Sequence, residues 1–363
     1  MRRVTRPGFW SRAIRVSALV GLAWAATGCA QIGYLSQSVS GHLTLVAAAR
    51  PVSEWLADPS TPPELRARLE LSQRIRDFAV SELHLPDNAS YRRYADLGRR
   101  AAVWNVVAAP ELSLELKTWC FPVVGCVGYR GYFDQAAADR AAQPLREQGL
   151  EVQVYGVPAY STLGKLPGPY FADPLLNTFL NYSEGELARL IIHELAHQVA
   201  FAPDDTLFNE SFATAVERIG GGRWLQQHAS AATREAYRRG DALRNDFRTL
   251  TQSYRKQLEA LYRSPVSDAD KRAGKAALMV RMRAEHQALK AGPWAGYSGY
   301  DAWFARANNA SLALSAAYNA QVPQFERLFE REGGQFDRFY AEVARLAALP
   351  AEQRQAAMAA LTP

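Results

Sequence analysis

Apolar residues recur at helical spacing in several long stretches of the chain. From Pro63 to Leu83 they lie three and four residues apart, and proline suits the first turn of a helix because its missing N–H has no partner there. The segment DQAAADRAAQPLREQGL is also typical of a helix. One longer stripe consists of Leu243, Phe247, Leu250, Tyr254, Leu258 and Leu261, and the next consists of Leu278, Met279, Met282 and Leu289. These two stripes predict an antiparallel helical hairpin.

Between the first helices the pattern changes to that of strands. AAVWNVVAAP and TWCFPVVGCVGYRGYF are rich in valine and aromatic residues, and EVQVYGVPAYSTLG alternates apolar and polar positions. These segments predict one small sheet. The segment GKLPGPYFADP, with three prolines and two glycines, predicts a loop.

A short helix is predicted to follow this loop. Ser183 and Glu186 in YSEGELARL match an S-x-x-E capping box, in which each side chain satisfies a free backbone N–H of the first turn. An apolar run at helical spacing comes next, and Pro203 is expected to stop the helix.

A second helix is predicted directly after that proline. Asp204 or Asp205 is expected to cap it, and the apolar pattern extends roughly from Leu207 to Ile219. Three successive glycines, residues 220–222, are expected to end it. The chain therefore predicts two helices joined by a tight turn.

Two of the six histidines lie in the first of these helices. Side chains at positions i and i+4 share one helix face, so His193 and His197 can turn both imidazoles toward a single ion. With Glu194 between them they form H-E-x-x-H, in which two histidines bind zinc and the glutamate is the general base. The alternative is an apolar helix with two buried, satisfied histidines. Burial of two imidazoles and a carboxylate is costly without a partner, and a cation is the simplest partner.

A catalytic zinc ion needs a third protein ligand and one open position. Glu210 lies on the second helix with 12 residues between it and His197, and a tight turn would bring it back beside the histidines. We therefore predict one Zn²⁺ ion bound by His193, His197 and Glu210, with Glu194 as the catalytic base.

Further residues are candidates for the surroundings of the ion. Glu217 lies seven residues after Glu210 and either holds the distal nitrogen of a zinc histidine or pairs with an arginine. Asn209 either forms a hydrogen bond across the site or begins the helix. An oxyanion donor is expected among Tyr297, Tyr300, Tyr318, Asn308 and Asn309. Tyr300 is our catalytic candidate from this group, and core packing is the alternative role for each member.

The N-terminus has the features of an export signal. Residues 1–28 contain five arginines and no acidic residue, and the apolar run from Val16 to Ala26 is about half as long as a membrane-spanning helix requires. Ala-Thr-Gly before Cys29 resembles a bacterial lipobox, which implies acylation of Cys29 and a membrane anchor. An uncleaved anchor or an unmodified cysteine is the alternative. Ala30, in place of an aspartate, implies the periplasmic face of the outer membrane.

Charge and cysteine content narrow the possible partners. Loss of residues 1–28 would change 42 basic against 36 acidic residues to 37 against 36, so no nucleic-acid partner is expected. Cys120 and Cys126 predict a disulfide in an oxidising compartment. Two reduced cysteines or half of a metal site are the alternatives, although no second cysteine pair exists to complete a structural zinc cage.

The order of several segments resembles a known family. HELAHQ followed by NESFATAVE resembles the gluzincin metallopeptidases, in which the glutamate of an N-E-x-x-A segment is the third zinc ligand. More closely, the chain resembles a bacterial family of lipoproteins called putative aminopeptidases. The segments that carry this resemblance are PELSLELKTWCFP, CVGYRGYF, VPAYSTLG, DPLLNTFL, HELAHQ, FNESFATAVE and NNASLALSAAYNAQVPQFERLF. The spacer before Glu210 is shorter than in better known gluzincin aminopeptidases, and GKLPGPYFADP is longer and richer in proline than the family implies.

The resemblance implies the same three zinc ligands, the same base and a peptide substrate. A zinc-dependent aminopeptidase is the function it favours. A zinc endopeptidase of envelope proteins and a non-catalytic, zinc-stabilised binding lipoprotein are the alternatives. The strand in EVQVYGVPAYSTLG is then either the edge strand of the cleft, to which an extended peptide can add, or an internal core strand.

The expected fold class is α+β and predominantly helical. Residues 29–222 should form a zincin-like catalytic region in which the H-E-x-x-H helix and the glutamate helix lie beside a small sheet. Residues 223–363 should form a helical C-terminal region, with the hairpin, packed on the site within the same compact unit. No feature of the sequence predicts the oligomeric state.

Overall fold

Helices make up most of the protein. The computed structural model describes residues 33–121, 125–159, 172–317 and 321–361. Within these ranges fourteen helices accompany small sheets, which confirms the predicted α+β, predominantly helical class. The predicted signal segment with Cys29, most of the proline-rich loop and Tyr318 lie outside the described residues. None of the described helices combines the length and the apolar character that a membrane crossing requires.

The elements follow one another along the chain with many short connections. The helices are α1 (33–47), α2 (Val52–Ala57), α3 (Pro63–Ser81), α4 (Gln135–Glu147), α5 (Asn177–Leu180), α6 (Glu184–Ala196), α7 (Thr206–His228), α8 (Ala231–Arg263), α9 (Asp268–Ala291), α10 (Asp301–Arg306), α11 (Asn309–Ala317), α12 (Val322–Arg331), α13 (Phe336–Ala347) and α14 (Ala351–Ala359). The strands are β1 (Arg50–Pro51), β2 (Arg93–Ala95), β3 (Val103–Pro110), β4 (Trp119–Phe121), β5 (Gly125–Val127), β6 (Arg130–Tyr132), β7 (Leu150–Val157) and β8 (Leu175–Leu176).

Strand β3 is the centre of the sheet that matters for the site. It pairs antiparallel with β6 on one side and with β7 on the other. Because successive side chains point to opposite faces, Trp104 and Val106 pack toward α4, whereas Val107 and Ala109 pack toward α11. Within the described residues β7 pairs with β3 alone, so it is an edge strand.

A disulfide closes the hairpin formed by β4 and β5. Cys120 and Cys126 lie opposite each other in the register of this hairpin and are bonded. The predicted pairing of these two cysteines is therefore present in the structure.

Helix α6 begins where the sequence pattern placed it, but the predicted capping box is wrong. Ser183 is the N-cap residue, yet its side chain makes no capping hydrogen bond. Glu186 pairs instead with Arg244 on α8, so a contact between helices replaces the local one. The helix also ends at Ala196, well before Pro203, and the chain turns through the residues between.

Helix α7 corrects a second prediction, because it continues through the three glycines to His228. Gly220 lies where α7 passes close to α6: a Cβ there would lie 2.5 Å from Leu83 Cδ1 and 3.3 Å from Ile192 Cδ1. Glycine at this position permits a close packing of helices and does not end the helix. The boundary predicted at residue 222 consequently falls inside α7.

We expect Gly220→Ala to lower the free energy of unfolding by about 1–3 kcal/mol, because the added methyl group overpacks this contact. Gly222 is the matched control, since a Cβ there meets nothing within 4 Å. Gly222→Ala should leave stability unchanged or raise it by up to about 1 kcal/mol, as alanine favours a helix interior. Urea unfolding of both variants measures the difference. Equal losses in the two variants would contradict the packing role of Gly220.

The two long stripes of apolar residues form the predicted antiparallel hairpin of α8 and α9. Tyr254 donates a hydrogen bond to Glu285, and Arg281 donates one to Gln257, so the order of contacts runs in opposite directions along the two helices. Leu258 and Met282 are fully buried in the core that the hairpin encloses.

The largest core joins parts of both predicted regions. It contains the buried faces of α3, α6 and α7 together with residues of α12 and α13. Phe212 on α7 packs against Phe325 and Phe339 from these last helices. The helices that carry the predicted ligands are therefore held from both sides by apolar packing.

Candidate metal centre

The end of α6 and the second turn of α7 bring the three predicted ligands together. His193 Nε2 lies 3.1 Å from His197 Nε2 and 3.4 Å from Glu210 Oε2. His197 Nε2 lies 3.8 Å from the same carboxylate oxygen. Within the described ranges these three residues form the group of ligand-type side chains that can hold a metal ion.

These separations agree with a single zinc ion. Bond lengths of 2.0–2.1 Å in a tetrahedron place neighbouring ligand atoms roughly 3.3 Å apart. The observed distances of 3.1, 3.4 and 3.8 Å bracket that value. Two imidazole nitrogens and one carboxylate oxygen thus converge on one point. The cluster can therefore hold a cation, and its donor set is compatible with zinc.

Asn209 fixes the turn between the two ligand helices. Its side-chain Oδ1 accepts a hydrogen bond of 2.8 Å from the Ala202 N–H, and its Nδ2 donates one of 2.8 Å to the Ala202 carbonyl. Because Asn209 precedes Glu210 on α7, this pair of bonds sets where the third ligand stands. Its bonds thus go to the connecting turn and not to the ligand side chains.

The start of α7 is held by a contact that the sequence pattern did not reveal. Asp205 caps the helix by accepting a hydrogen bond from the Phe208 N–H. Its other carboxylate oxygen lies 2.8 Å from Nε of Arg354, a buried side chain of α14. An ion pair across the fold thereby anchors the helix that carries Glu210.

Glu217 combines the two roles considered for it. Its Oε2 lies 3.0 Å from His193 Nδ1, and its Oε1 accepts a hydrogen bond from Arg189. Burial alone would raise the pKa of Glu217, but Arg189 and His193 outweigh burial and lower it to about 2. An ionised Glu217 at this distance can favour a proton on His193 Nδ1, which would leave the Nε2 lone pair free for a metal.

Glu194 lies beside the ligands without being one of them. Burial is the main reason why its pKa rises from 4.5 to about 7, and nearby Glu210 and Asp173 raise it further. His193 opposes this rise. A carboxyl group with such a pKa can both accept and return a proton near neutral pH.

A cavity of about 520 Å³ opens in front of the cluster, and we call it the metal cleft. It is lined by His193, Glu194, His197 and Glu210 on the helical side. The opposite wall comes from the face of the main sheet that carries Asn105, from the disulfide hairpin and from α1. Among the described residues no lysine or arginine lines it, whereas four carboxylates do.

The family described as "Putative aminopeptidase" matches residues 33–358. The chain belongs to this family. Comparisons with curated proteins and with solved structures gave no match. Membership suggests peptidase activity and therefore a hydrolase that acts on peptides, as the resemblance of the sequence had implied.

The metal cleft contains a tyrosine that the sequence analysis did not identify as a site residue. Tyr129, between β5 and β6, lines the cleft and packs in one cluster with Tyr155 of β7. Burial raises the pKa of Tyr129, and the carboxylates of Glu210 and Glu194 raise it further. Burial likewise raises the pKa of Tyr155 to about 12, with Glu210 contributing. Tyr129 belongs to CVGYRGYF, a segment that we had interpreted only as sheet and as part of the resemblance.

The structure does not bring Tyr300 into the metal cleft. Its ring stacks on Phe247 with 4.2 Å between the ring centroids. It lines a second cavity, which touches His193 and Glu194 from another side but is lined by neither His197 nor Glu210. Burial raises the pKa of Tyr300 to about 12, and no carboxylate of the cluster contributes to that rise.

The side chains of Asn308 and Asn309 make hydrogen bonds that stabilise the fold. The side chain of Asn309 donates hydrogen bonds to the carbonyls of Pro110, Glu111 and Ser113 and accepts one from Tyr262. Asn308 begins α11 through hydrogen bonds with Ser311. These contacts connect α11 to the end of β3 and to α8.

Proposed function

We propose that this protein is a zinc-dependent aminopeptidase. The observation that carries the proposal is the convergence of His193, His197 and Glu210 in a cleft that is also lined by a half-buried carboxylate, Glu194. When bound there, zinc would lower the pKa of a coordinated water toward about 7 and polarise the scissile carbonyl.

The proton transfers are assigned to Glu194. It faces the cleft, it is not needed as a ligand, and its pKa of about 7 suits a group that accepts a proton from water and then gives it to the leaving amine. Glu217 supports this chemistry indirectly, because it orients His193 through Nδ1. The positive charge of Arg189 stabilises the ionised form of Glu217.

Tyr129 is our candidate for the donor that stabilises the oxyanion. Its side chain lines the wall of the cleft opposite the two ligand helices. The influence of Glu210 and Glu194 on its pKa supports a position close to the reacting groups. Because burial keeps its pKa high, the phenol retains the proton that a donor needs.

The charge of the cleft favours an aminopeptidase over a carboxypeptidase. Four carboxylates line the described part of the cleft, and no lysine or arginine is present there to bind the C-terminal carboxylate of a peptide. Asp205 is already paired with Arg354, whereas Asp204 faces the cleft and accepts a hydrogen bond from the backbone N–H of Cys126. A free α-ammonium group is the peptide end that suits such a site.

Export and acylation of Cys29 complete the proposal. The lipobox-like sequence before Cys29 supports a lipid anchor, and a disulfide between Cys120 and Cys126 suits an oxidising compartment. We place the protein on the periplasmic face of the outer membrane. A zinc endopeptidase of envelope proteins and a zinc-stabilised binding lipoprotein remain the competing functions.

Zinc analysis together with a pair of substrates tests the proposal. The purified protein should contain one zinc per chain and should hydrolyse a peptide with a free N-terminus but not the same peptide after N-acetylation. Equal hydrolysis of both would favour the endopeptidase. Zinc without hydrolysis of either would favour the binding lipoprotein, and the absence of any transition metal would overturn the metal site.

A further inference from the structure

Helix α1 exposes an apolar stripe on the surface of the protein. Leu35, Val39 and Leu43 recur every four residues, and their exposed fractions are 44%, 59% and 42%. The other exposed large hydrophobic side chains of the described residues are Tyr182, Val266 and Val280, which lie apart from one another in the sequence. The stripe is therefore a continuous feature of one helix face and not a scatter of single residues.

The exposed face of α1 also lacks charge. Residues 33–47 contain no aspartate, glutamate, lysine or arginine, although such residues make up 21% of the chain. Hydroxyl side chains lie between the aliphatic ones on this face: Ser36, Ser40 and Thr44. A helix face in contact with water usually carries charged residues. Aliphatic and hydroxyl groups without charge suit the boundary between lipid headgroups and acyl chains.

The position of Cys29 identifies the surface that covers this face. Cys29 lies four positions before the start of α1 at residue 33, and an extended chain of four steps spans at most about 14 Å. Acyl chains on Cys29 would therefore hold the first turn of α1 beside the membrane. Leu35 lies in that turn, and the stripe continues from it along the helix.

We propose that α1 rests on the lipid bilayer through Leu35, Val39 and Leu43, an inference that rests on the proposed acylation of Cys29. The acyl chains supply the anchor, and the stripe sets how the protein stands on the membrane. The partner is a lipid surface that need not be anionic, because the stripe itself offers no basic residue.

This orientation places the metal cleft next to the membrane. Tyr34, Leu35 and Ser38 of α1 line the cleft, so the helix that touches the bilayer is also one wall of the site. The cleft then receives peptides from the layer of solvent along the membrane surface. Substrates are expected to be chains whose free N-termini lie close to the bilayer.

A fluorescent label on the stripe tests the proposal in the acylated, full protein. The three native cysteines are blocked there, one by acylation and two by the disulfide, so Val39→Cys introduces a single reactive thiol. Val280→Cys is the matched control, because Val280 is 64% exposed on α9. Each variant is labelled with nitrobenzoxadiazole and reconstituted into phosphatidylcholine vesicles. The label at 39 should shift to shorter wavelength and be quenched by nitroxide lipids, and the label at 280 should do neither.

Three results would overturn the proposal in distinguishable ways. If the intact mass shows no acyl chains on Cys29, the anchor is absent and the proposed lipid contact is refuted with it. Zinc content and peptide hydrolysis test the proposed activity independently of this result. Acylated protein whose label at 39 stays in water refutes the contact alone. A spectral shift that disappears when the protein is diluted at constant lipid assigns the stripe to a second copy of the chain.

Discussion

Glu194→Gln is expected to lower kcat for a free peptide by about 10²–10⁴-fold while the zinc content stays at the wild-type level. The amide has nearly the shape of the carboxyl group but cannot accept a proton from water. Because Glu194 is not among the three converging ligand groups, the metal should remain bound. Steady-state kinetics and metal analysis of the same preparation measure the two quantities together.

Glu210→Gln is the informative comparison for this variant. It changes a carboxylate of similar burial on the neighbouring helix, but one whose Oε2 lies 3.4 Å from His193 Nε2 within the metal cluster. Activity should fall in both variants, whereas zinc should be lost only from Glu210→Gln. Retention of zinc in Glu210→Gln would contradict the role of Glu210 as a ligand. Loss of zinc from Glu194→Gln would contradict the assignment of Glu194 as a base that does not bind the metal.

Tyr129→Phe is expected to lower kcat by about 10²–10³-fold with a much smaller change in KM, because an oxyanion donor acts mainly in the transition state. The substitution removes only the hydroxyl group, and the ring keeps its packing beside Tyr155. Stability should therefore change little. Kinetics with one free peptide, together with thermal unfolding, separate a catalytic effect from a structural one.

Tyr300→Phe decides between the two tyrosines. Tyr300 lines a cavity that reaches His193 and Glu194 from another side, and its hydroxyl lies near Tyr297. Its removal should cost less than removal of the Tyr129 hydroxyl. A larger loss of kcat in Tyr300→Phe would restore the candidate that the sequence alone suggested and would move the substrate to the second cavity.

Predictions from the spacing of apolar residues were correct where that spacing also determines which side chains are buried. The stripe in α8 and α9 predicted the hairpin, because side chains three and four residues apart must share a face in any helix. The same approach failed at Gly220 and at Ser183. In both places a contact with another helix decided the outcome. Gly220 lies at a close contact of α7 that leaves no room for a Cβ, and Glu186 pairs with Arg244 of α8 instead of capping α6.

Most of the metal cluster was also readable from the sequence. Two of the candidate ligands come from one helix turn, and the third lies in the helix that follows directly, so short-range geometry nearly suffices to bring them together. The structure added how they are held. Asn209 fixes the turn, Arg354 anchors the start of α7, and Arg189 keeps Glu217 charged beside His193. Of these, Arg354 comes from the far end of the chain and has no signal in the local pattern.

The chain's own pattern thus determined the helices, the hairpin and which side chains can bind a metal, because these depend on spacings of a few residues. Only the tertiary structure decided which side chains face the candidate metal cluster. Tyr129 and α1 reach the cleft through strand pairing and helix packing, and Tyr300 is kept out of it by stacking on Phe247. Contacts between distant segments depend on how whole faces pack, and no short window of residues encodes them.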